Sequence, residues 1–274
     1  MINVSVLLGL SLLTVPVPAS MPVRLRADHV VRVVATDYRL SLPTSLHAGL
    51  TTFRLENQGH ELHQLYLARL AGEKSAADLV NAIKAGGPPP SWAIDVGGPN
   101  GVDPAGTAPD VTVRLTPGHY AALCIIPSAD GVPHVMKGMY ADVTVVPGPQ
   151  QASLPPSPDL TVTLQDYGYR ASAPLTAGYH RVLVRNDGKQ SHELELARLA
   201  PGKSPGDIVA WIERMKGAPP ASFLGGVSPL APGQENALSL TLTPGHYVML
   251  CFIPDATDGK PHTAHGMIHD FIIK

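Results

Sequence analysis

A chain of 274 residues with a formal net charge of −2 and a pI near 6.6 is long enough for two ordinary cores. It carries no excess charge to hold nucleic acid or an anionic membrane surface. Aromatics are only 5% of the chain against 26 Gly and 28 Pro, a mix that favours short strands and many turns over a helical bundle. The two cysteines make no disulfide framework, and with one in each half they stand too far apart to pair.

Residues 1–20 open with an apolar run from Val4 to Val15 and end in small residues near Ala19. This reads as an export signal lacking the usual basic start, which places the mature chain in the periplasm or outside the cell. No later stretch has the apolar length to cross a bilayer. Strands are predicted over Leu25–Ala35, Thr51–Asn57, Leu62–Leu67, Val111–Leu115, Tyr120–Ile126 and Met139–Val146, where apolar and polar residues alternate or β-branched residues run together between turns such as NQG and TPG. One helix interrupts them. Ser75 caps it with Asp78 three residues on, it runs to Ala85, and Leu79, Val80 and Ile83 form an apolar face that packs on the strands.

After PGPQQASLPPSP, a proline-rich linker placed at 149–157, the chain repeats itself. Val34–Leu70 aligns without a gap to Thr163–Leu199, so that Asp37-Tyr38 falls on Asp166-Tyr167, Asn57 on Asn186 and His63 on His192. LTPGHY recurs from Leu115 and from Leu242. The helix start recurs as Ser204, Pro205 and Asp207, with Ile208, Val209 and Ile212 as its apolar face and an end near Lys216. Two domains follow, 21–148 and 158–274, each a Greek-key β-sandwich with one short helical insertion: an all-β chain.

Each copy also repeats a set of metal-binding residue types. LCIIPSADGVPHVMKGM holds Cys124, His134 and Met139, and LCFIPDATDGKPHTAHGM holds Cys251, His262 and Met267. With His63 and His192 each set has two imidazoles, a thiolate and a thioether, the ligand field of a blue-copper centre. Taken singly, a Cys beside Leu on a strand reads as a small buried hydrophobe, Met139 as core, and His60, His265 and His269 as surface. What argues for copper is the recurrence of the whole set, in order, in both copies.

NQGHELH and NDGKQSHE, followed by Cys, His and Met with four residues between the last two, resemble the cupredoxin family over nearly all of each repeat. The loops of nine and ten residues between Cys and His are similar to the type 1 site of copper nitrite reductases, which are also two-domain cupredoxins. The resemblance implies copper, up to two type 1 ions, and electron transfer with a redox partner protein. In those reductases and in multicopper oxidases a histidine directly before the cysteine ties type 1 copper to a catalytic centre. Here Leu123 and Leu250 hold that place, so a carrier is expected and an enzyme is not. The alternatives are a cupredoxin-like binding or scaffold module without functional copper and, third, a copper-dependent reductase. Gln64 and Glu193 follow the first histidines, and a carboxylate pointing inward there would favour Cu(II) at the second site. Val132, Pro133, Val135 and Met136 make an apolar rim where a redox partner could dock. His119 and His246 follow the TPG turn, too far along the strand to join the cysteine.

Overall fold

The computed structural model describes residues 30–86, 89–148 and 157–274. The expected signal segment and most of the linker lie outside these residues. The first repeat contributes β1 (Val30–Thr36), β2 (Arg39–Ser41), β3 (Ser45–His47), β4 (Gly49–Asn57), β5 (Tyr66–Leu70), α1 (Ala76–Ala85), β6 (Ala93–Gly97), β7 (Asp110–Leu115), β8 (Gly118–Leu123) and β9 (Tyr140–Val146). The second contributes β10 (Leu160–Gln165), β11 (Gly168–Ala171), β12 (Gly178–Asn186), β13 (His192–Leu199), α2 (Pro205–Ile212), β14 (Ala221–Leu230), β15 (Glu235–Leu242), β16 (Gly245–Leu250) and β17 (Ile268–Ile273).

The strands form two sheets that both run through the two repeats, in the orders β11-β10-β12-β15-β7-β4-β1-β2 and β17-β16-β13-β14-β6-β5-β8-β9-β3. Alternation drives the layering. Val33, Ala35, Phe53, Leu55, Val111 and Val113 turn inward from the first sheet and are buried, while Arg32, Arg54 and Arg114 of the same strands turn out. Leu67, Ala122 and Val143 meet them from the second sheet, so the chain is an all-β sandwich built on period-two patterning.

Equivalent strands meet at the seam. Val111, four residues before Leu115, pairs with Leu238, four before Leu242, in the antiparallel β7–β15 contact. In the second sheet Pro99, which follows Gly97-Gly98, bridges Val227, which follows Gly225-Gly226. The flanking pairs Val96 with Leu230 and Val102 with Leu224 are mates under the same exchange. The repeats are therefore related by a pseudo-two-fold axis, the arrangement of an isologous dimer held within one chain. Glycine is required at this crossing. A Cβ on Gly98 would stand 2.5 Å from the Leu65 carbonyl oxygen, and one on Gly226 would stand 2.0 Å from that of Leu194.

Several expected boundaries move. The strand expected over Leu62–Leu67 begins only at Tyr66, because the backbone of His63 and Leu65 bonds instead to Val102 and Pro99. The strand expected over Tyr120–Ile126 ends at Leu123, where the backbone turns so that Cys124 donates to Met139 and Val135 to Cys124. Both helices have the reciprocal Ser–Asp capping box. The second ends at Ile212, four residues short of expectation, and of the apolar faces only Leu79 and Ile208 are fully buried, with Ile83 exposed. β2, β3, β6 and β14 were not among the expected strands. No helix among the described residues is long and apolar enough to cross a membrane.

Candidate metal centres

Each repeat brings its two histidines and its cysteine together. His63, Cys124 and His134 offer donor atoms within 4.8 Å of one another, as do His192, Cys251 and His262, and all six residues are buried. At the first centre the two Nδ1 atoms are 3.1 Å apart, and Cys124 Sγ lies 3.4 Å from His134 Nδ1 and 4.0 Å from His63 Nδ1. At the second, the Nδ1 atoms are 3.0 Å apart and Cys251 Sγ lies 3.2 Å from His262 Nδ1.

The elements around each trio explain its placement. His63 exchanges backbone hydrogen bonds with Val102, and His192 stands at the start of β13 opposite Leu230. His134 opens a single helical turn whose amide bonds to the Ile126 carbonyl, and His262 repeats this with Ile253. Met139 is buried, and its backbone donates to His134 and accepts from Cys124; Met267 is buried and donates to His262.

The outer nitrogens decide the tautomers. His63 Nε2 lies 3.1 Å from Asp37 Oδ1, and His192 Nε2 lies 2.6 Å from Asp166 Oδ1. His134 Nε2 meets Glu61 Oε2. A carboxylate at Nε2 keeps the proton there and leaves the Nδ1 lone pair free. Two lone pairs then face each other beside a sulfur in a buried pocket; one thiol proton can serve only one of them, and a soft cation relieves both. The donor spacings suit two atoms bound to one ion at roughly 2 Å each, and a set of imidazoles with a thiolate fits copper. Glycine lets the carboxylate approach: a Cβ on Gly59 would lie 2.4 Å from Asp37 Oδ1 and 2.6 Å from His63 Nε2, and Gly188 is crowded in the same way by Asp166 and His192. This gives NQG and NDG a meaning beyond a turn.

Burial sets the protonation states. His63, His134 and His192 are all pulled below the ordinary imidazole value by burial, against the opposing carboxylates. His262 is pulled down to about 4 by burial and by His192. Burial pushes the Cys124 thiol up to about 12 and raises Cys251 well above its usual value, while backbone N–H groups of Gln64 and Ile126, and of Glu193 and Ile253, work the other way. Asp37 and Asp166 sit below the carboxylate range. Burial opposes this, and hydrogen bonds from His60 and His63, and from His192 and Lys189, outweigh it.

The second centre differs outside the trio. Gln190 replaces Glu61 and Asp255 replaces Ser128, so the acid moves from one loop to the other. Ser128 Oγ donates to Glu61 Oε2 over 2.8 Å, and Gln190 Nε2 donates to Asp255 Oδ2 over 2.9 Å. His262 Nε2 is 3.8 Å from Asp255 Oδ2 and has no hydrogen-bond partner. Asp255, Asp258 and His265 also approach one another, but Asp255 is already taken up by Tyr167, Gln190, Thr257 and Asp258.

Other expectations are placed as follows. His60, His265 and His269 are exposed. The docking rim is smaller than expected: Val135 is buried beneath α1 with Leu79 and Leu123, Met136 packs against the same cluster, and only Val132 stands exposed. The Glu193 carboxylate lies between the second centre and the seam, accepting from the Phe252 amide next to Cys251 and from Asn100 Nδ2. Asp37, Glu61 and Asp166 were missed as partners of the histidines, and Asp255 as the acid standing near His262. Asp37 and Asp166 matched between copies, and that match was the available signal.

Paired sheets with parallel β1–β4 and β10–β12 contacts, and a His, Cys, His trio hung on the loop after β8 or β16, complete the pattern. The fold is cupredoxin-like. No family model matches the chain, and no curated protein does. Among solved structures, auracyanin from Roseiflexus castenholzii is 22% identical over 44% of this chain and 99% of its own, with a TM-score of 0.30. A copper-containing nitrite reductase from Thermus scotoductus SA-01 is 11% identical over 90% of this chain and 61% of its own (TM-score 0.25). A copper nitrite reductase from Nitrosomonas europaea is 12% identical over 90% and 94%, with a TM-score of 0.26. Likenesses at this level say nothing of what the cupredoxin-like chain binds.

Proposed function

We propose that the chain is an exported electron carrier holding up to two copper ions, one in each of the domains 21–148 and 158–274. His63, Cys124, His134 and Met139 hold the first, and His192, Cys251, His262 and Met267 the second. One observation carries this reading: in both repeats a buried thiol faces bare imidazole nitrogens whose outer nitrogens lie hydrogen-bonded to acids at three of four positions. Bound copper supplies a one-electron couple.

The chain's own residues do the rest. Asp37, Glu61 and Asp166 fix the imidazole rings, so little has to move when the charge at the centre changes. The amides of Gln64 and Glu193 point at the sulfurs and stabilise thiolate. Complete burial of all six trio residues excludes water.

An enzyme reading has less support. Leu123 and Leu250 are fully buried, and neither is a ligand type. His119 and His246 are 45% and 36% exposed and turn toward Glu73 and Asp270.

Loading the purified protein with Cu(II) should produce an intense visible charge-transfer band, and Cys124→Ser should remove about half of it. A colourless protein retaining no stoichiometric copper would overturn the assignment in favour of a scaffold module. Loss of all colour from either single cysteine change would show that the two sets are not independent. Nitrite reduction above a free-copper control would restore the reductase.

A further inference from the structure

The seam between the repeats is polar where it passes the two centres, and its polar contacts break the pseudo-two-fold symmetry. Asn100 and Ser228 are equivalent positions, two residues past their glycine pairs, and Gln64 and Glu193 are equivalent positions after the first histidines. Asn100 Nδ2 donates to Glu193 Oε2 over 3.2 Å. On the other side Ser228 Oγ donates to the Leu65 carbonyl instead, and Gln64 Nε2 has no partner. At these equivalent positions a bond from side chain to side chain crosses the seam on one side, while on the other the crossing bond ends on a backbone carbonyl.

We propose that this link is the route by which an electron passes between the two centres, so that the chain acts as a coupled two-site relay. The proposal rests on the copper reading above. The route starts at His63, whose amide donates to the Val102 carbonyl over 3.4 Å and whose carbonyl accepts from the Val102 amide over 3.0 Å. Asn57 Nδ2 holds the same Val102 carbonyl at 2.8 Å. Gly101 and Asn100 follow covalently, with the Gly101 amide anchored on Glu195 Oε2 at 2.9 Å. From Asn100 the route crosses to the Glu193 carboxylate. It then reaches Cys251 twice over: Glu193 Oε1 accepts from the Phe252 amide at 2.8 Å, and the Glu193 amide donates to Cys251 Sγ at 3.4 Å.

No gap along this route exceeds 3.4 Å, and it is dry: His63, Asn100, Val102, Glu193 and Cys251 are all buried. Only the strand-like 99–102 segment and β14 lie between His63 and β13, so the crossing spans about three strand spacings, on the order of 15 Å. Packing alone does not account for the link. A buried carboxylate is costly where an apolar residue could fill the space, and Glu193 is buried. With copper in both centres, His63, Cys124 and His134 would hold the ion that gives up one electron, passing from Cu(I) to Cu(II), and His192, Cys251 and His262 the ion that takes it up, passing from Cu(II) to Cu(I). No bond breaks and no proton moves.

The test uses the full chain with copper in both centres, their visible and circular dichroism bands assigned from Cys124→Ser and Cys251→Ser. After flash reduction by less than one electron per molecule, the redistribution between the bands is followed over a range of protein concentrations. We expect a concentration-independent phase, slowed about tenfold by Asn100→Leu, with both bands and both midpoint potentials unmoved. Ser228→Ala, on the opposite side of the axis, should leave the rate alone. If Asn100→Leu does not fold, Asn100→Ala is measured in its place. An unchanged rate in the Asn100 variant, or a redistribution that is only bimolecular, overturns the conduit while leaving the copper sites standing. A protein that takes up no copper overturns both.

Discussion

At the first centre the acid that meets the second imidazole comes from the loop before His63; at the second centre the acid stands in the loop after the cysteine. The two repeats keep the same inner trio and the same Asp behind the first histidine, yet exchange Glu61 and Ser128 for Gln190 and Asp255. Each centre therefore retains one carboxylate and one hydrogen-bonding neutral partner at that place. What differs is contact. Glu61 reaches His134 Nε2, whereas Asp255 is held off His262 at 3.8 Å by its own bonds to Tyr167 and Gln190. Position, more than the count of charges, distinguishes the two environments.

The largest expected effect follows from that contact. Glu61→Gln should weaken copper retention at the first centre by about 10 to 100-fold, the usual toll of removing an outer partner of a ligating histidine. Gln190→Ala should alter the second centre by no more than a few fold. Competition with a chelator measures both, and equal losses would erase the distinction drawn here. A double variant sharpens it further. Glu61→Gln with Ser128→Asp rebuilds the second repeat's pattern in the first, with the acid held off the imidazole as Asp255 is from His262, and should recover little of the lost affinity, whereas full recovery would show that a nearby charge matters more than the contact.

Proton linkage should treat the repeats alike. With thiols raised and imidazoles already neutral, each centre releases about one proton on loading, so affinity rises about tenfold per pH unit around neutrality. Base uptake in an unbuffered titration reads this directly, and release near zero would mean thiolates pre-exist. The histidines give a dependence of the same sign in the metal-free chain. Their folded values lie below the unfolded one, so their contribution to stability is present above about pH 6.5. It is lost as pH falls, and for His262 the loss continues down to about 4. Thermal melts between pH 7 and pH 4 should show this decline.

The smallest effect concerns the unmatched side of the seam. Gln64 Nε2 is buried without a partner, so Gln64→Leu should leave stability unchanged or raise it by about 1 kcal/mol. The reverse experiment, Glu193→Leu, strands the Phe252 amide and leaves Asn100 Nδ2 only its longer bond to the Val227 carbonyl, and should destabilise. A denaturant titration of both variants separates the two sides.

The trios were legible in the sequence because duplication marked them: Cys124, His134 and Met139 recur as Cys251, His262 and Met267 at nearly the same spacing. The strands that carry them were legible from alternation. Asp37 was not, since 26 positions separate it from His63 and only folding brings β1 beside β4. Nor was the seam. It is built from a few residues of β6, β7, β14 and β15, and its glycines serve close backbone approach, which in a sequence looks the same as a turn. The exchange of Glu61 and Ser128 for Gln190 and Asp255 hides for a related reason: each substitution looks like drift until the two loops are seen to touch.

The pairing of β7 with β15 and β6 with β14 also settles where the molecule is open to unwanted company. Two separate sandwiches would present eight strand edges with unpaired amides and carbonyls. Joined through the seam, the described sheets end only at β11, β2, β17 and β3, and two of these, β2 and β3, are three-residue strands that offer little template for another chain. A half-length chain would uncover β6 and β7, or β14 and β15, together. Its simplest ways to cover them are to clasp a copy of itself or to aggregate, so in this molecule duplication works as protection for sticky edges as well as a means of carrying two ions.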